Sequence, residues 1–207
     1  DYLILIPFGY LVGAVPFGII VGRLLRGVDV RQHGSGNTGM TNVLRTAGVQ
    51  AAILVLALDM VKGVLAILIA RIISDSDVVH ALTGISAIVG HVWPVYVRFK
   101  GGRGTASGWG ALLVLSPISG LVATVIGLGL VGGTRYMSLG SMMGATSGCT
   151  TLIVLSVFGV EPLGYVWYGI VGAPLIMMRH KDNIRRLLRG QERRVGQTVI
   201  VAESTER

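Results

Sequence analysis

Residues 104–131 read GTASGWGALLVLSPISGLVATVIGLGLV. Taken as one helix, the stretch exceeds the roughly 20 residues that cross a bilayer, but Ser116-Pro117 interrupts it near the middle, where proline ends one helix or starts another. The distribution of positive charge decides between one span and two. With a hairpin at Ser116-Pro117, the loop after the first span, the Arg98 to Arg103 loop, Arg135 and the C-terminal basic run all fall on one side. That side then holds every one of the 18 Lys and Arg except Lys62 and Arg71. Asp1, Asp75, Asp77 and Glu161 fall on the other. With a single span, Arg135 and the C-terminal run land on the wrong side. The sequence therefore predicts an all-α polytopic membrane protein with seven transmembrane helices. The fourth and fifth are short, the N-terminus lies outside and the C-terminus in the cytoplasm.

Composition agrees with immersion in lipid: 14% of the 207 residues are charged, and the mean hydropathy is +0.70. Leu3 to Val21 has no basic leader and no clear cleavage site, so it reads as a retained span. The remaining spans are expected at 47–73, 78–97, 139–159 and 163–178, with the first running to about Leu25 and kinked at Pro7 and Pro16. Residues 179–190 pattern as an amphipathic helix, with Ile184, Leu187 and Leu188 on one face and arginines around the other. Residues 1–190 form one domain, and 191–207 a polar tail expected to lack fixed structure. The 31 glycines suggest close helix packing. Cys149 is the lone cysteine, and no His–Cys–carboxylate group has metal-ligand spacing, so neither metal nor cofactor is expected. A net charge of +8 points to phosphate-bearing partners, lipid headgroups or a phosphorylated substrate, and not to nucleic acid, because the basic residues flank membrane spans.

The topology brings four polar stretches to one membrane face. Gly34 to Arg45 (GSGNTGMTNVLR) places three glycines among Ser, Asn, Thr and Arg, the residues that donate to an oxyanion. Lys100 to Ser107 (KGGRGTAS) offers backbone N–H groups and a positive dipole at a helix start, without the spacing of a P-loop. Arg135 to Ser141 and Arg179 to Asn183 complete the set, with His180 and Asn183 on one helix face. Asp59 and Lys62 stand at i, i+3 within the second span, as a structural ion pair, and His91 is expected to order the Lys100 loop. No Ser-His-Asp triad can be assembled. A transporter for an anionic metabolite would also need a basic pocket, but Ser116-Pro117 has no partner break of the kind inverted repeats produce. A simple membrane-binding module would leave the glycine-rich stretches without a purpose.

Over Leu3 to Gly190 the sequence resembles the PlsY family, the bacterial acyl-phosphate:glycerol-3-phosphate acyltransferases. The resemblance rests on GSGNTGMTNVLR (34–45), DMVKG (59–63), GHVWPVYVRFKGGRGTAS (90–107), RYMSLGS (135–141) and RHKDNIRRLLRGQE (179–192). The family has Ala at Met40, Lys at Arg103, Val at Thr105 and Thr at Ser107. Arg103 keeps the charge but changes its shape. The resemblance implies transfer of a fatty acyl chain from acyl phosphate to the 1-hydroxyl of glycerol 3-phosphate. This gives 1-acyl-glycerol 3-phosphate (lysophosphatidic acid) and phosphate, the first committed acylation of phospholipid biosynthesis. It also implies residence in the bacterial cytoplasmic (inner) membrane, with the active site facing the cytoplasm. By matching position, glycerol 3-phosphate falls to Ser35, Arg45, Arg103, Ser141, His180 and Asn183. The leaving phosphate falls to Asn37, Thr41, Asn42 and the N–H groups around Gly101, Gly102, Gly104 and Thr105, with Lys100 beside them. The expected partners are these two substrates and membrane lipids. The residues leave open whether a soluble acyl-phosphate-forming enzyme docks on the basic face.

Overall fold

In a computed structural model, residues 1–197 of the chain are described, and they are helical throughout apart from short loops and 3-10 turns. Residues 198–207, the remainder of the expected tail, lie outside the described residues. In chain order the α-helices are α1 (Tyr2–Ala14), α2 (Phe17–Arg26), α3 (Met40–Thr46), α4 (Val49–Ile73), α5 (Asp77–Val92), α6 (Thr105–Leu115), α7 (Pro117–Thr134), α8 (Met137–Val157), α9 (Val166–Arg179) and α10 (Lys181–Leu188). Five helical segments are long and apolar enough to cross a membrane: 2–26, 49–73, 77–97, 117–134 and 137–157.

Hydrophobicity runs inside out along these helices. On α4, Ile53, Val61, Leu65, Leu68 and Ile72 are exposed, whereas Ala52, Asp59, Lys62, Gly63, Ala66 and Ala70 are buried. Large apolar side chains facing outward with small and charged ones facing inward is the arrangement lipid favours. There, association comes from close backbone packing and not from a hydrophobic drive between helices. Contacts follow that rule. A Cβ at Gly63 would meet the Ser107 carbonyl and one at Gly110 the Met60 carbonyl, so α4 and α6 touch backbone to backbone. Gly9, Gly13 and Gly90 bring α1 equally close to α5, and Gly127, Gly140 and Gly144 bring α7 close to α8.

The hairpin expected at Ser116-Pro117 is present. Trp109 Nε1 donates to Thr124 Oγ1 (2.9 Å) and Leu113 packs on Gly120, pairs equidistant in sequence from the break. Ser116 caps α7 by accepting from the Ser119 N–H (3.3 Å), with Pro117 as its first residue. The lengths differ from expectation. α6 has 11 residues, but α7 has 18, because its helix continues through Gly132, Gly133 and Thr134 until Arg135 turns into the left-handed region (φ 62°). The second short helix is instead α9, with 14 residues. The first span runs uninterrupted through Pro7 but breaks at Val15-Pro16 into α1 and α2. That break frees the Val15 carbonyl, which accepts a hydrogen bond from buried Lys62 Nζ (3.1 Å).

The first residues of the tail make specific contacts. Gly190 (φ 66°) ends α10 in the left-handed conformation that favours glycine and reverses the chain. Gln191 to Gly196 then returns to the α7–α8 corner. The Val195 N–H donates to the Arg135 carbonyl (2.8 Å) and Arg135 Nη2 donates to the Val195 carbonyl (2.9 Å).

Candidate active site

The glycine-rich stretch is folded by its own side chains. Asp29 accepts from the Arg31 backbone (3.1 Å), from Arg31 Nη2 (2.6 Å) and from Arg23 Nη2 (2.8 Å). Those bonds, Arg31's first, hold its carboxyl well below the usual carboxylate range. Asn42, at the start of α3, ties the loop down. Its Nδ2 donates to the carbonyls of Val30 (2.7 Å), Asn37 (2.9 Å) and His33 (3.2 Å), and its Oδ1 accepts from the Ser35 N–H (2.8 Å). Gly34 (φ 64°) lies against that amide, where a Cβ would collide with Oδ1. The assignment of Asn42 to the leaving phosphate therefore gives way to another role. Its amide is spent on shaping the loop that presents Ser35, Asn37, Thr41 and Arg45.

The second stretch begins where α5 ends. The His91 carbonyl accepts from the Gly102 N–H (3.1 Å), and the His91 ring rests against the Gly102 Cα. His91 Nδ1 lies 3.2 Å from Ser107 Oγ and 3.5 Å from Asp59 Oδ1, and Asp59 pairs with Lys62 at 2.7 Å. This buried network fixes the loop against α4 and α6, as expected of His91. It also corrects the expectation for the loop's first residues. The Gly102 N–H is already engaged, Gly101 is packed on Pro94, and Lys100 is exposed on neither cavity wall. Gly104 (φ 82°) makes the turn into α6, whose first N–H groups have no partner inside the helix. Thr105 Oγ1 is buried there without a hydrogen-bond partner. Together with the dipole of α6, these groups suit an anion.

At the α9–α10 junction His180 is buried, with its Nδ1 2.8 Å from the Ile176 carbonyl. A carbonyl can only accept, so Nδ1 carries the hydrogen and Nε2 offers a lone pair. Burial first and Arg103 second lower the imidazole to about 4, so it is neutral at pH 7. One turn on, Asn183 Nδ2 donates to Glu192 Oε1 (2.6 Å).

Two cavities meet at these residues. The first, of about 180 Å³, has polar walls (Ser35, Asn37, Thr41, Asn42, Arg45, Arg103, Gly104, Thr105, Ser141, His180) and an apolar depth between helices. Leu112, Val131, Cys149 and Ile176 are among the residues of that depth. The second, of about 240 Å³, is bounded by Arg45, Arg103, Arg179, Asn183, Arg186, Glu192 and Arg193. Ser35, Asn37, Arg45 and Arg103 belong to both. Burial, opposed by Glu192 and reinforced by Arg186 and Arg45, holds the Arg103 guanidinium down to about 10, still charged at neutral pH. Arg45 is lowered chiefly by burial and next by Arg193. Like charges gathered this closely are relieved by a bound dianion.

The structure thus gathers every predicted site residue except Lys100, Gly101 and Gly102 onto the two cavity walls. Sequence reasoning missed Arg179, Arg186, Glu192 and Arg193 as wall residues, and Asp59 and His91 as lining the first cavity. For Glu192 a signal existed. It is the only acid between Asp182 and Glu203, in a run of arginines just past a helix-stopping glycine.

Residues 3–190 match the family model described as glycerol-3-phosphate acyltransferase. A glycerol-3-phosphate acyltransferase of Halalkalibacterium halodurans is 43% identical over 189 residues, 90% of this chain and 92% of that protein. One from Anaeromyxobacter sp. is 43% identical over 201 residues, 93% and 96% of the two chains. The fold is similar to the crystal structure of PlsY (YgiH), an integral membrane glycerol 3-phosphate acyltransferase, in its glycerol 3-phosphate form. The TM-score is 0.86 at 40% identity, covering 94% of this chain and 96% of that one. The lysophosphatidic acid form of the same protein gives a TM-score of 0.84 at 39% identity, covering 94% and 95%.

Proposed function

Because the chain belongs to the integral membrane glycerol-3-phosphate acyltransferase family, we propose that it moves a fatty acyl chain from acyl phosphate to the 1-hydroxyl of glycerol 3-phosphate, releasing lysophosphatidic acid and phosphate. One observation carries the reading: an apolar-floored cavity and a cationic cavity share the wall formed by Ser35, Asn37, Arg45 and Arg103. A lipid tail suits the first and a water-soluble phosphate ester the second, so the acyl carbon and the attacking hydroxyl meet at that wall.

Acyl phosphate is a mixed anhydride with a good leaving group, so the reaction needs charge stabilisation more than protonation of that group. The glycerol oxygen bonds to the acyl carbon, the carbon–oxygen bond to phosphate breaks, and the hydroxyl proton passes to a phosphate oxygen. Neutral His180, with an imidazole at about 4, is too weak a base to hold that proton, but its Nε2 can accept a hydrogen bond from the hydroxyl and aim it. Arg45, Arg103, Ser35, Ser141 and Asn183 bind glycerol 3-phosphate. Asn37, Thr41, Thr105 and the first N–H groups of α6 receive the leaving phosphate. In the membrane the helices make seven spans, with the N-terminus outside, the C-terminus in the cytoplasm and the site at the cytoplasmic face of the inner membrane.

The test is phosphate release by purified protein in lipid with palmitoyl phosphate and glycerol 3-phosphate, and with acyl-CoA in parallel. Release that requires both substrates and is absent with acyl-CoA is the expected result. Turnover with acyl-CoA overturns the donor assignment, and saturable glycerol 3-phosphate uptake into vesicles without turnover favours a transporter.

A further inference from the structure

Glu192 has no part in the reaction as described, yet it sits on the wall of the cationic cavity and is 9% exposed. A carboxylate there is costly to bury and repels phosphate. The chain nevertheless brings it in deliberately. Gly190 reverses the chain after α10, and the Gly190 and Gln191 N–H groups close the turn on the carbonyls of Leu187 (3.1 Å) and Arg186 (2.8 Å). The returning strap is anchored at its far end through Val195 and Arg135, and Arg194 lies over the Tyr136 ring, 5.4 Å from its centroid.

Inside that strap the carboxylate is fully used. Oε1 accepts from Asn183 Nδ2 (2.6 Å) and Ser138 Oγ (2.8 Å), and Oε2 accepts from Arg186 Nε (2.7 Å). Against the upward push of burial, these bonds from Arg186, Asn183 and Ser138 keep the carboxyl below its usual value, so it is ionised at neutral pH. An ionised carboxylate is acceptor-only and can face only the NH₂ end of an amide. Glu192 therefore decides which way Asn183 is turned. The other end of that amide, Oδ1, is buried with no partner. An orphaned acceptor on the wall of this cavity suits a donor brought by the ligand, and the donors of glycerol 3-phosphate are its hydroxyls.

We infer that Glu192 is a positioning residue for the acyl acceptor: held by Ser138 and Arg186, it locks the Asn183 amide so that Oδ1 accepts from a glycerol hydroxyl while the arginines take the phosphate. The C-terminal strap is then a working part of the site. This inference rests on the acyl-transfer reading for its substrate, and the experiment separates the two.

A double-mutant cycle between Glu192 and Asn183 in the full-length protein in lipid tests it. Glu192→Ala lowers kcat on the order of 10-fold, as removal of an outer partner of a ligating side chain does. KM for glycerol 3-phosphate does not rise, since a repelling charge has gone. Asn183→Ala loses at least as much, the double variant is no slower than Asn183→Ala, and Glu192→Gln recovers part of kcat by restoring an acceptor oxygen. Glu192→Met, which keeps the length without the acceptor, replaces Glu192→Ala if the latter does not fold. Losses that multiply in the double variant, or wild-type kcat in Glu192→Ala, overturn the inference. If the wild-type protein transfers no acyl group, the acyl-transfer reading falls alone. The same cycle is then scored on glycerol 3-phosphate binding by calorimetry, where non-additive effects of the two substitutions support the Glu192 contact and additive effects remove it.

Discussion

Loss of water around His180, and then the charge of Arg103, hold the imidazole at about 4 against an ordinary 6.5. The folded state resists a proton that the unfolded chain accepts. The resulting stability is fully present above pH 6.5 and is lost as pH falls from 6.5 toward 4, on the order of 3 kcal/mol in all. Thermal melting between pH 4 and 7.5 should show that slope in the wild-type protein and a flatter one in His180→Gln. An equal slope in both would remove the buried neutral imidazole from the account. Arg45 makes the second prediction at this scale. It stands on the wall common to both cavities, where the proposed reaction develops charge as the carbonyl is attacked. Arg45→Ala should raise the barrier by about 2.7–4 kcal/mol, the cost of deleting one preorganised donor, and unchanged turnover would exclude it from the reacting centre. Residue roles were only partly legible in the sequence. Ser35, Arg45, Arg103 and His180 were visible as hydrogen-bonding groups, and they do line one cavity. That Asn42 would spend its amide on Val30, His33, Asn37 and Ser35 was not, because three of those four bonds go to carbonyls that every sequence shares.

Among the elements, α4 shows why charge inside a span survives. Lys62 meets Asp59 at 2.7 Å and the freed Val15 carbonyl at 3.1 Å, so the pair joins α4 to the break between α1 and α2. Through His91 and Ser107, Asp59 also reaches the loop that carries Arg103. Removing one member strands the other in a dry interior, at about 3–5 kcal/mol, whereas removing both costs less. Asp59→Leu and Lys62→Met should each lower the melting temperature sharply, and the double variant should recover part of the loss. A double variant less stable than either single one would mean that the pair is needed for more than mutual neutrality. The i, i+3 spacing made the pair legible, but the carbonyl it reaches was not. That acceptor exists only because Pro16 breaks a helix whose own pattern is continuous. The hairpin at Ser116-Pro117 was legible for a similar reason, since proline and the charge count agreed. The length of α7 was not, because Gly132 and Gly133 suggest a loop, yet both continue the helix on its exposed side, with no neighbour within 4 Å.

For the whole molecule, what the sequence showed best was convergence: four polar stretches, far apart in the chain, on one face. In the structure those stretches do meet, around two cavities with a common wall. The course of Gln191 to Gly196 stayed hidden because its far end is held by Arg135 and Ser138, more than fifty positions earlier, and the lone acid just after Gly190 marks only its start. The proposed orientation has a direct consequence. An odd number of spans separates the two ends, and the hairpin at Ser116-Pro117 sets that parity. Asp75, in the turn between α4 and α5, should face the outside, and Arg189, after α10, the cytoplasm. The single native cysteine, Cys149, is buried in α8, so the background for thiol labelling is low. With a membrane-impermeant maleimide on intact spheroplasts, Asp75→Cys should label at once and Arg189→Cys only after permeabilisation. Labelling of both from outside would mean that the hairpin does not reverse the chain across the bilayer. Labelling of Arg189→Cys alone would invert the whole assignment and turn the two cavities away from the cytoplasmic supply of glycerol 3-phosphate.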